Sequence, residues 1–332
     1  MSAADARPAG GLPDGSWDGI GVSVAEIVDQ LAHQRRPDGG PPLTLAGVLN
    51  LVAYVPDTED VSQTRAVIER LADHQPSRAV LVVESDAGAG IDATVSTSCR
   101  LTGEHLSVGL ELVVLTLHGD GRAGAASAIV PLLRSDLPTF LWWPGSPDLD
   151  PRGPLARLAP LADRIITETE RRSGGVARLA AWAADAPAAV TDLAWAAITP
   201  WRQLIAQMLG AADLARASIA HHPSGPSVEA LLLAGWLRSL PGNRRDVALR
   251  PRPGAPAAAL GIEIATAGSD RRISIDHMPE RQAATVRTTD PGGAIRERVL
   301  PLPASDRSRL LAGELEVQRR DRAFERALAR AA

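Results

Sequence analysis

The chain has 332 residues, 45% hydrophobic and 22% charged, with a formal net charge of −4 at pH 7. That length allows two domains, each with its own core, and the composition is that of a soluble globular protein. A negative balance and a pI near 6.0 argue against a nucleic-acid or anionic-membrane partner, and a single cysteine, Cys99, excludes an internal disulfide or a cysteine-rich metal site.

Residues 1–21, rich in Gly, Pro, Ala and Asp, are expected to be a disordered N-terminal extension. They hold no basic segment followed by an apolar core, and no apolar run in the chain reaches the ~18–20 residues of a membrane span, so the expectation is a cytoplasmic protein. Val24, Ile27, Val28 and Leu31 form a helical stripe, which the Pro-rich stretch from Pro37 to Pro42 ends. Thr44 to Val55 reads as a strand. Asp57-Thr58 then opens a helix reaching about His74, with Val61, the stem of Arg65, Ile68 and Leu71 on its inner face. Pro76-Ser77 turns the chain into a short strand, Ala79 to Val83. The alternating run Ile91 to Leu101 is a strand that puts Cys99 in phase with Ile91, Ala93, Val95 and Thr97, the place of an inert buried thiol. Glu111 to Leu117 is a further strand, and Gly119 to Gly124 leads into a helix reaching about Leu133.

Thr139 to Trp143 is β-branched and aromatic, and Pro144-Gly145 stops it. Phe140 and Trp142 face one way, Leu141 and Trp143 the other. A strand apolar on both sides belongs inside an α/β sheet. The tryptophans read as core, with one indole alternatively offered to a partner.

Beyond the proline-rich Pro144–Pro160 come a short strand at Arg164–Thr167 and a helix over Gly174–Asp185. Thr199 is placed as N-cap and Pro200 as first residue of a helix with Trp201, Leu204, Ile205 and Met208 on one face, stopped by Gly210. Another helix spans about Ser227–Leu240, and Ala248–Val299 is β-rich. Leu310, Val317 and Phe324 recur every seven residues in a final helix over about Ser305–Ala329. The fold class is mixed α/β: an N-terminal domain (22–170) with a mixed sheet flanked by helices, and a C-terminal α+β domain (171–332) with a smaller sheet.

Gly119-Asp120-Gly121-Arg122-Ala123-Gly124 is a GxGxxG between a strand and a helix, the setting of a dinucleotide fingerprint. The next strand ends in Trp142-Trp143-Pro144, where an acid for the ribose should stand, so a glycine-rich turn is the better reading. The seven histidines show no metal-ligand spacing, His221-His222 read as solvated loop residues, and no GxSxG or P-loop occurs. No catalytic set, metal or cofactor is expected.

Three segments stand together: His74–Val83; IVPLLRSDLPTFLWWPG (Ile129–Gly145); and TDLAWAAITPWRQL (Thr191–Leu204). In order and spacing they resemble the glucose-6-phosphate dehydrogenase assembly protein family, known as OpcA, over roughly Leu45 to Leu240. The resemblance implies a non-enzymatic partner that binds glucose-6-phosphate dehydrogenase, promotes its active oligomer and supports NADPH production in the oxidative pentose phosphate pathway. It implies no catalytic residues. Cyanobacterial members have cysteines associated with thioredoxin control; with Cys99 alone, an internal thiol switch is not available here. The expected partner contacts are Arg78, Asp136, Trp143, Asp192, Trp195 and Arg202. The alternatives are a sugar-phosphate- or nucleotide-binding enzyme using the Gly119–Gly124 turn with Arg78, and a scaffold for some other protein.

Overall fold

A computed structural model describes residues 15–35, 44–45, 47–56, 61–72, 74–102, 105–145, 149–169, 175–209, 214–240, 246–253, 260–268, 271–302 and 306–331. The chain forms two compact units, Met1–Pro144 with Ala156–Ile165, and Gly145–Leu155 with Ile166–Ala332. The class is the expected mixed α/β one. Among the described residues no helix is long and apolar enough to cross a membrane.

The first unit begins with β1 (Gly15–Gly19), inside the stretch expected to be disordered. It pairs antiparallel with a distant strand, Trp17 opposite Val95, and main-chain pairing of that kind leaves no mark on local composition. Helix α1 (Val24–Gln34) starts at Ser23, whose hydroxyl accepts from Glu26 N–H while Glu26 reaches back to Ser23 N–H, a reciprocal cap. Then follow β2 (Thr44–Leu45), β3 (Leu49–Val55), α2 (Val61–Leu71), β4 (Ser77–Ser85), β5 (Gly90–Thr102), β6 (His105–His118), α3 (Ala125–Ile129) and β7 (Thr139–Trp143), while α4 (Pro154–Leu158) and β8 (Arg164–Thr167) straddle the unit bounds, with Thr167 in the second unit. The helix expected up to Leu133 is α3 alone, with 3-10 turns at Gly119–Gly124 and Val130–Leu132. Pro131 has no N–H to continue an α-helical ladder. The starts proposed at Asp57-Thr58 and Gly174, the stop at Gly210 and the side chain of Cys99 lie outside the described residues.

Strand order in this unit is β1-β5-β6-β4-β3-β7-β8. Strands β6, β4, β3 and β7 run parallel, and β5 and β1 add antiparallel at the margin. As expected of an inner strand, β7 is covered on both faces: Phe140 and Trp142 are 0% exposed, Leu141 2% and Trp143 1%. The Trp143 indole stacks on Tyr54, centroids 4.7 Å apart and planes 22° from parallel. Tyr54 donates its hydroxyl to Glu84, and burial first, then Glu84, holds its phenol far above the ordinary range. Among the described residues Trp143 Nε1–H has no hydrogen-bond partner. That costs about 1–3 kcal/mol, and burial of the ring, worth roughly 4–6 kcal/mol, offsets it.

A charged cluster is also buried here. Glu111 on β6 accepts from Arg78 Nε (2.9 Å) and Nη2 (2.6 Å) at one oxygen and from Arg35 Nε (2.5 Å) at the other. Arg78 Nη1 donates to Leu132 O at 3.0 Å. Burial pushes the Glu111 carboxyl up, and the bond and charge of Arg35 pull it back.

The second unit continues with α5 (Gly175–Ala184), β9 (Ala189–Asp192), α6 (Leu193–Ala197), α7 (Thr199–Leu209), β10 (Leu214–His221), α8 (Val228–Ser239), β11 (Asp246–Pro251), β12 (Gly261–Thr266), β13 (Arg272–Met278), β14 (Ala283–Thr289), β15 (Ile295–Pro301), α9 (Arg307–Leu315) and α10 (Arg322–Ala331). Its sheet has the order β11-β10-β12-β13-β14-β15, with only β10 and β11 parallel. Ile219, Ile262, Ile275 and Val286 lie in one cross-strand row on the buried face. Helices α8 and α10 pack so closely that a Cβ on Gly235 would sit 2.1 Å from Ala327 O, so only glycine fits. His221 is not a loop residue: it ends β10, buried, whereas His222 lies in the turn and bonds Ser224. The single final helix is two. Asp321 accepts from Ala323 N–H and Phe324 N–H and so starts α10 afresh, leaving Val317 41% exposed.

Replacing Arg78 by Ala strips Glu111 of two of its three charged hydrogen bonds and should cost about 3–5 kcal/mol in urea unfolding. The pair Arg78→Met/Glu111→Leu should cost less than Arg78→Ala alone, because no buried charge is left behind.

Candidate functional site

The segment Thr191–Leu204 organises the second unit. Asp192 ends β9 and caps α6, with Oδ1 accepting from Ala194 N–H at 2.9 Å. Its Oδ2 accepts from Thr167 Oγ1 and from Thr169 N–H, both at 2.8 Å. Burial raises its carboxyl above the ordinary carboxylate range, and the hydrogen bonds from Thr169, Ala194 and Thr167 pull it down.

Trp195, on α6, is 1% exposed. Its Nε1–H donates to Asp321 Oδ2 at 2.7 Å, and its ring meets Phe324 edge-on at 5.6 Å. One carboxylate therefore both starts α10 and anchors the indole. The Arg202 guanidinium lies 3.6 Å from the centroid of the same ring, a cation–π contact. Arg202 Nη2 donates to Thr199 Oγ1 at 2.7 Å. Burial lowers the proton affinity of Arg202, opposed by Asp321 and Glu314, and the guanidinium stays charged. Thr199 is thus not the cap. It is the first residue of α7, one residue after α6 ends, and its hydroxyl serves Arg202. Of the expected apolar face of α7, Trp201, Leu204 and Ile205 are buried; Met208 is half-buried and Leu209 is buried beside it.

The same segment walls a cavity of about 790 Å³ within the second unit. Asp192, Leu193 and Trp201 line it with Glu168, His277 and Arg307. Arg307 Nε donates to Glu168 Oε1 at 2.9 Å, and the Trp201 ring meets His277 edge-on at 5.7 Å. Gln282, also in the lining, has a left-handed backbone (φ 47°) where the turn after Pro279 closes into β14. A non-glycine residue there costs on the order of 1–2 kcal/mol. Eight of its eighteen lining residues are polar or charged, among them three carboxylates, Glu168, Asp192 and Glu229. Among the described residues no three His, Cys, Asp or Glu side chains gather as a metal site.

Of the six expected contact residues, Asp192, Trp195 and Arg202 come together here. The others lie in the first unit. Arg78, 6% exposed, is spent on Glu111 and Leu132 O, so it cannot reach a phosphate. Trp143 is core against Tyr54, 1% exposed like Asp192 and Trp195. Asp136 is at the surface, 65% exposed, where its bond with Arg134 holds its carboxyl below the ordinary range. The Gly119–Gly124 turn packs on its own neighbours: Cβ atoms at Gly119 and Gly121 would each lie 3.2 Å from the carbonyls of Gly88 and Gly90. Those glycines serve a close main-chain approach. Sequence reasoning missed Glu168, His277, Arg307 and Asp321. Only Asp321 carried a signal, an Asp directly before a helical run.

Trp195→Phe keeps the ring under Arg202 but loses the N–H to Asp321. An unfolding loss of about 1.5–3 kcal/mol is expected, read from the urea midpoint at unchanged slope.

Two family models match the chain one after the other: the N-terminal domain of the glucose-6-phosphate dehydrogenase subunit over residues 68–184, and the C-terminal domain of the same protein over residues 188–328. A protein of Synechocystis sp. named OpcA, an OxPP cycle protein, is 26% identical over 198 residues, 56% of this chain and 40% of that protein. OpcA of Nostoc punctiforme is 26% identical over 186 residues, 52% of this chain and 39% of that protein. The chain thus spans about two fifths of the length of the curated relatives it matches. Among solved structures, a dehydrogenase (MviM) from Clostridium difficile gives a TM-score of 0.45 at 7% identity, covering 85% of this chain and 96% of that one, a likeness too slight to carry an argument. The two domain matches contain the three sequence segments in order and extend past the expected end near Leu240 to residue 328, and the chain belongs to the OpcA family of glucose-6-phosphate dehydrogenase assembly proteins.

Proposed function

We propose that this chain is a non-enzymatic assembly factor that binds glucose-6-phosphate dehydrogenase in the cytoplasm and favours its active oligomer, raising NADPH formation. The observation that carries this reading is the pair of domain matches over residues 68–184 and 188–328. The commitment of Asp192 to three internal donors is consistent with it, since a carboxylate so engaged is a structural cap rather than a proton carrier. An assembly factor works by binding the active oligomer more tightly than the alternative, because only differential affinity shifts an equilibrium. A difference of about 1.4 kcal/mol moves the ratio tenfold, so the contact need not be extensive.

The test mixes purified full chain with the cognate dehydrogenase and follows sedimentation velocity and NADPH formation together. A faster-sedimenting complex and a saturable rise in rate are expected. No change in either measurement sinks the proposal, and turnover of a metabolite by the isolated chain sinks its non-enzymatic part.

A further inference from the structure

The sheet of the second unit is buried on one face and open on the other. Opposite the isoleucine rows, the register aligns Ser218 of β10, Glu263 of β12, Ser274 of β13, Arg287 of β14 and Glu297 of β15 in one row, its serines half-buried and its charged residues exposed. The next row runs from Arg216 through Ala265, Arg272 and Thr289 to Ile295. Small side chains on the central strands leave a trough of about 520 Å³, walled by Arg216, Arg250, Arg272 and Arg287 around a single carboxylate, Glu263. Arg216 and Arg287 reach Asp246 and Glu297 outside it. Among the described residues neither Arg250 nor Arg272 pairs with a carboxylate. At the sheet edge, on the same face, Ile295 and Val299 are 64% and 62% exposed.

A polar outer face is ordinary for an antiparallel sheet. A flat floor of small residues under these arginines, with apolar side chains at the margin, is arranged for a contact: guanidinium forks suit carboxylates, and arginine is enriched in interfaces. Six strands of this length present roughly 500–650 Å² of flat area, close to the ~800 Å² per partner of a standard interface. A second copy is a poor occupant, because face-to-face pairing would set the arginines against one another. A polynucleotide fits poorly too, since the chain as a whole carries −4.

We infer that this open face docks an acidic surface of the partner protein, its carboxylates meeting Arg250 and Arg272; the inference rests on the partner reading above. The test measures association of the full chain with the cognate dehydrogenase for wild type, Arg250→Glu/Arg272→Glu and the control Arg65→Glu/Arg70→Glu, which makes the same charge change on α2. Melting and circular dichroism verify folding, and Arg250→Ala/Arg272→Ala is the second variant should the reversal not fold. Affinity is expected to fall on the order of tenfold or more for the sheet reversal, less for the alanine pair, with a weaker salt dependence and an unchanged control. If wild type binds and both sheet variants bind equally well, the docking face is wrong while the partner reading stands. If wild type itself fails to bind, the partner reading falls and this inference with it. Loss of self-association, or of binding to a duplex DNA at physiological salt, in the reversed variant would instead assign the face to a second copy or to nucleic acid, and so overturn the proposal.

Discussion

A carboxylate that is 1% exposed must find most of its hydrogen bonds inside the protein, and Asp192 is the point in the second unit where that demand is met. Its three donors come from the end of β8, the chain just beyond it and the start of α6. Satisfying them sets where β9 stops and how α6 leaves it. Trp195 follows one turn later, with its indole bonded to Asp321 and in contact with Arg202. Asp321 in turn starts α10, which packs on α8 at a distance that only Gly235 permits. Much of the unit's helical layer thus descends from two carboxylates bonding main-chain N–H groups, interactions worth more than neutral ones because the acceptor is charged.

An all-arginine complement of cations is used in three distinct ways. Arg78 is buried and bonded to a buried Glu111, an arrangement that specifies geometry more than it adds stability. Arg202 lies on an indole, where a flat and weakly hydrated cation loses little on leaving water. Arg250 and Arg272 stand over small residues on the open face of the sheet. Burial separates the first use from the last, and residue type alone could not.

Legibility followed the range of the interactions involved. Strand β7 was readable because five residues apolar on both faces have few other homes, and the apolar face of α7 was readable from its period. The break at Asp321 was hidden because Leu310, Val317 and Phe324 keep a helical period across it, and a cap shows only when the carboxylate is seen on its N–H groups. His221 was misplaced since a histidine pair before proline has the local look of a turn. Arginine and tryptophan are frequent at interfaces, so Arg78 and Trp143 read locally as contact residues; their burial depends on Glu111 and Tyr54, which lie 33 and 89 positions away along the chain.

Sequence by itself determined the class of fold, the inner position of the double-tryptophan strand and, through three short segments, the family. These are properties of local patterning and of residue order. Tertiary structure alone decided which charges are buried, which helix is broken, which glycines serve close approach and which face of the second sheet is left open. Each of those outcomes depends on partners far apart in the chain, and desolvation, which decides their energy, is a property of the folded surroundings rather than of any residue.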